Sequence, residues 1–138
     1  MTDETIPDET TLHTDFDHWL ADEYRSGDPR GFTAMAILVK IKKKDVEPLC
    51  STYMHVIGVE TDWSDITTMF AGSGMRWDAA VFFPIRDSRH GGPLDNPTAR
   101  LYLLNQEGRI ADDRMVINDG HFFDVWGRRM KIEEVDAG

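Results

Sequence analysis

The stretch from Phe32 to Lys44 constrains this chain more than any other. Phe32 to Val39 is almost wholly apolar, and Val39-Lys40-Ile41-Lys42 then alternates with period two. An unbroken apolar run passing into alternation is how a strand reads when it starts in the middle of a sheet and ends in solvent. Lys40, Lys42, Lys43 and Lys44 mark that solvated end and form the one dense lysine cluster in the chain.

A helix is expected just upstream. Phe16, Trp19, Leu20 and Tyr24 fall at i, i+3, i+4 and i+8, which is one helical face. Thr14 with Asp17 approximates a capping box, and Gly27 followed by Asp28-Pro29 supplies a stop. A second, short helix is predicted from Asp62 as cap, with Ile66, Met69 and Phe70 as its apolar face and Gly72 at its end.

The remaining pattern is mostly that of strands. Thr52 to Val59 is rich in β-branched and aromatic residues and reads as strand, although Leu49, Tyr53, Val56 and Ile57 also fit a helix. Trp77 to Ile85 reads as a buried strand, and Arg86 to Thr98, with Gly91-Gly92-Pro93 and Asn96-Pro97, as an irregular loop. Strands are expected at Ala99 to Leu104 and at Met130 to Val135. Met115 to Ile117 and Phe122 to Trp126 flank Asn118-Asp119-Gly120 and suggest a hairpin. The sum is an α+β fold, a mainly antiparallel sheet with a leading amphipathic helix and one short helix.

With 138 residues and 41% hydrophobic content, the chain has enough material for one core, so residues 14–136 are expected to form a single domain. Residues 1–13, acids interspersed with Thr and one Pro, are expected to be a disordered acidic tail. No apolar run approaches the ~20 residues of a membrane span. Cys50 has no partner for a disulfide, and Met1 is followed by acids where a secretory leader needs bases; both favour a cytoplasmic setting.

Charge is distributed unevenly. Residues 1–28 hold nine acids and one base, Arg25, whereas the remainder holds 16 acids and 14 bases. Thus −8 of the net −10 lies in the arm and first helix. Such an arm suits a partner with a basic surface, including one that normally binds nucleic acid, with the Trp19 helix as an amphipathic anchor. The same arm also fits two other roles, a solubilising tail or a segment that folds back on the lysine cluster. The binding residues expected on this reading are Asp15, Asp17, Trp19, Asp22 and Glu23, in a small, non-catalytic protein-interaction module of the inhibitor, adaptor or immunity type.

Two other readings remain open. His90 and His121, with Asp87 and Asp124, are the residue types of a metal-dependent enzyme, yet no HExxH, paired CxxC or calcium-loop spacing accompanies them, so no metal or other cofactor is assigned. A nucleic-acid-binding surface would use Lys40 to Lys44 together with Arg128, Arg129 and Lys131 beside Trp126, although acids interleave with both clusters. Gly72-Ser73-Gly74 follows a helix and lacks the first glycine of a nucleophile elbow, and Cys50 near His55 is better explained as a small apolar residue.

Overall fold

The computed structural model describes residues 14–43 and 45–132. The tail expected over 1–13, Lys44 and residues 133–135 lie outside the described residues; of the strand expected at Met130 to Val135, Met130 alone is strand among those described, and Lys131 and Ile132 are not. Along the chain run α1 (Asp15–Arg25), β1 (Phe32–Ile41), β2 (Val46–Val56), α2 (Trp63–Ala71), β3 (Ala79–Ile85), α3 (Asn96–Asp112), a 3-10 helix (Arg114–Asp119), β4 (His121–Asp124) and β5 (Arg129–Met130). The strands form one antiparallel sheet in the order β2-β1-β3-β4-β5. The fold is therefore the expected α+β arrangement of a leading helix and an antiparallel sheet.

β1 sits inside the sheet, buried from Phe32 to Val39 and exposed at Lys40 and Ile41. Its continuous apolar run follows from cover on both faces. On one face Phe16, Trp19 and Leu20 of α1 and Ile66 and Phe70 of α2 pack on Ala34, Ala36, Leu38, Phe82 and Phe123. On the other, Leu103 and Ile110 of α3 and Ile117 of the 3-10 helix pack on Met35, Ile37, Val39, Val81 and Phe122. β2 is an edge strand; Val39 pairs with Pro48 directly after Leu38 pairs with Cys50, so a bulge interrupts the ladder there.

The helix boundaries follow local chemistry. Thr14 Oγ1 accepts from the Asp17 amide at 2.9 Å and opens α1. At the other end, Arg86 donates to the Glu23 carbonyl and to its carboxylate, both at 2.8 Å, and lies over the Phe32 ring. A cation there complements the negative end of the helix. Asp62 and Asp65 form a reciprocal capping box on α2.

Two local expectations are corrected. Ala99 to Leu104 is not a strand but the middle of α3, a 17-residue helix. Asp95 caps it by accepting from the Thr98 amide, Pro97 sits in the first turn where its missing N–H costs nothing, and Ala, Leu, Gln, Glu and Arg make up much of the rest. Met115 to Ile117 is 3-10 helix, and Gly120 leads into β4, which pairs with β3. The tight hairpin lies later, between β4 and β5, where Asp124 accepts from the Trp126 and Arg128 amides and Gly127 takes φ +78. A side chain on Gly127 would press on the Trp63 ring as well as strain the backbone.

Asp17 is the one buried acid among the described residues, 3% exposed. Its Oδ1 accepts from the Trp63 amide at 2.7 Å, so a residue of α1 closes the start of α2. Replacing Asp17 with Ala strands that buried N–H, and urea unfolding should show a loss of about 2 kcal/mol. Asp17→Asn keeps an acceptor oxygen and should lose less. A loss from Asp17→Ala within the scatter of surface substitutions would show that the contact does not hold the two helices.

Candidate functional site

The outward side of α1 follows from the helical period. Asp15, His18, Asp22 and the C-cap Ser26 recur every three or four residues on that side, and the half-buried Glu23 and the buried Trp19 flank them. Together with Arg129 of β5 they line an open cleft of about 480 Å³. Four of the five residues expected from sequence to bind a partner, Asp15, Trp19, Asp22 and Glu23, are brought together there. The fifth, Asp17, lines a different cleft of about 570 Å³ with Trp63, Trp77 and Trp126.

The acids of the α1 cleft differ in how far they are already engaged. Asp15 Oδ2 accepts from the Arg129 amide at 2.8 Å, and Glu23 is paired with Arg86. Asp22 and His18 are exposed, and their side chains make no hydrogen bond or ion pair among the described residues. Trp19 is 6% exposed and lies among Phe16, Phe32, Phe82 and Phe123. Its Nε1 is buried with no hydrogen-bond partner among the described residues, so the indole contributes mainly aromatic packing.

His121 stacks against Trp19 beside the cleft. Its ring stacks on the indole at 4.7 Å and 27°, and Nδ1 lies 3.2 Å from Arg129 Nη1. Burial disfavours the charged imidazolium, and the Arg129 cation disfavours it further; Glu23 opposes them more weakly. The result is a titration below that of an ordinary histidine.

The residues of the other two readings lie in separate settings. His90 is in the loop before α3, 3.7 Å from Asp87, whose carboxylate is held by the Arg89 and His90 amides. Asp124 is committed to the β4–β5 turn and to Arg128. No three His, Cys, Asp or Glu side chains converge in a metal-binding arrangement among the described residues. Lys40, Lys42 and Lys43 are exposed at the end of β1, where Lys42 pairs with Glu47 at 3.0 Å. Arg128 lies over the Trp126 ring at 4.8 Å, Lys131 is exposed, and Arg129 belongs to the α1 cleft. Arg129, expected with the bases Arg128 and Lys131, lies instead in the cleft, as does His18, whose place one turn from both Asp15 and Asp22 is the sequence signal for it.

Compared with models of protein families, with curated proteins and with solved structures, the chain matches none.

A histidine held neutral by the fold contributes stability above its unfolded pKa, about 6.5, and loses it as pH falls towards the lower folded value. Proton NMR should therefore place the His121 midpoint below about 6.5. On acidification below neutrality, His121→Gln should lose stability less steeply than the parent chain. A midpoint at or above the ordinary value would contradict the burial described for this ring.

Proposed function

We propose that this protein is a non-catalytic protein-interaction module that uses the acidic side of α1 to engage a basic surface on a partner protein. The reading is supported chiefly by Asp22, an exposed carboxylate with no hydrogen-bond or ion-pair partner among the described residues, in a cleft that also carries Asp15, His18, Glu23 and the single base Arg129. Such an arrangement attracts cations over a distance and leaves a face that a guanidinium or ammonium can enter without first breaking an internal ion pair. The nine acids of residues 1–28 extend the same sign of charge along the chain, and a partner surface that normally binds nucleic acid has the complementary field. A cytoplasmic setting belongs to the same proposal. No helix among the described residues is long and apolar enough to cross a membrane.

Because Phe16, Asp17, Trp19 and Leu20 belong to the core, removing α1 would unfold the body; the test must change its surface. A photocrosslinking residue placed at Ser26 should trap a protein with a basic surface in a lysate of the cells that make this chain. Trapping should decline with added salt and fall at least severalfold in Asp22→Lys. Trapping that Asp22→Lys and salt leave unchanged would exclude this face as the binding site, and recovery of nucleic acid alone would favour the basic-cluster reading.

A further inference from the structure

α3 has one side on which no described element packs. Ala99, Leu103, Gln106 and Ile110 turn towards the sheet. At about 100° per residue, Pro97, Leu101, Leu104, Gly108 and Ala111 fall on the opposite side. Their spacing is four, three, four, three, which is the spacing of a coiled-coil seam. All five are exposed, Leu101 by 68% and Leu104 by 63%. Single exposed leucines are ordinary, but a continuous apolar stripe signals a contact surface.

We infer that this stripe pairs two copies of the chain, α3 against α3 in antiparallel orientation. The charges beside the stripe select both the occupant and the direction. Arg100 and Glu107 lie along one flank, and Thr98, Asn105 and Asp112 along the other. In an antiparallel pair with Leu101 layered on Leu104 of the second copy, Pro97 meets Gly108 of the second copy, where no side chain obstructs it. The same register sets Arg100 beside Glu107 of the second copy and Glu107 beside Arg100 of the second copy, so a two-fold axis generates two ion pairs. A parallel pair would instead set Glu107 beside Asp112 of the second copy, an acid against an acid.

The surroundings suit this contact. Arg100 makes no ion pair among the described residues, and Glu107 is steadied by the Ser51 hydroxyl of β2. Although the chain carries −10, α3 holds two acids and two bases, so its face brings no local self-repulsion. A single helix pair buries less than the ~1,200–2,000 Å² of a standard stable interface, so the association is reversible, with Kd on the order of 10–100 µM. This surface is separate from α1, and the inference stands whether or not α1 binds a partner.

Sedimentation equilibrium of the full chain over a concentration range bracketing that Kd tests it. The mass should rise from one chain to two. Leu101→Asp with Leu104→Asp should remain monomeric with an unchanged circular dichroism spectrum, since both side chains are exposed. Arg100→Glu and Glu107→Arg should each weaken association severalfold alone, whereas an equimolar mixture of the two should form a heterodimer at least as tight as the parent pair, because opposite charges then meet at both positions. A parent chain monomeric throughout overturns the inference, as does a dimer that the leucine variant leaves intact. If the leucine variant does not fold, the charge exchange decides: a mixture no tighter than its components also overturns it.

Discussion

A carboxylate in an apolar interior costs several kcal/mol unless hydrogen bonds replace its lost water. Asp17 meets that cost at the start of α2, where the Trp63 amide and the positive end of the helix both favour a negative group. The position of Trp63 then has consequences elsewhere. Its Nε1 donates to the Val125 carbonyl at 2.9 Å, while Phe16 N donates to the Gly127 carbonyl at 3.0 Å. The β4–β5 turn is thus held from two directions. With only four and two residues, these strands have little ladder of their own, and the node built on Asp17 and Trp63 supplies what they lack.

The same node sets the orientation of α1. Because Phe16, Asp17 and Trp19 are committed inward, Asp15, His18 and Asp22 must face out. The geometry of the acidic cleft is therefore a by-product of core packing, with Asp15 and Glu23 engaged by Arg129 and Arg86 and Asp22 left exposed. Trp19 does both: it closes the aromatic core and forms the floor on which His121 stacks.

How much could be read from the sequence depended on whether a pattern was local. The Phe32 to Val39 run, the Thr14 start of α1 and the Asp62 cap of α2 each rest on neighbours within a few residues, and the corresponding elements lie where those signals place them. α3 was misread as a strand because its apolar residues occupy two opposite sides, which erases the one-sided helical period. Asp95 and Pro97, which open it, fall in the stretch that Gly91-Gly92-Pro93 and Asn96-Pro97 make read as an irregular loop. In the cleft, Asp15, Trp19, Asp22 and Glu23 were accessible from helical spacing alone. Arg129 reaches them across 114 positions of chain, and no local pattern announces such a meeting.

The bulge on β2 has a consequence beyond its own ladder. An eleven-residue edge strand would ordinarily offer its open backbone to any extended chain, and successive additions of that kind lead to fibrils. Pro48 withholds one amide, and the irregularity beside it breaks the even spacing that an added strand would need. At the far side of the sheet, β5 is too short to template anything. Polymerisation by strand addition is thereby discouraged at both ends, and the chain can carry a long central strand of nearly pure apolar sequence without that strand becoming the seed of an aggregate.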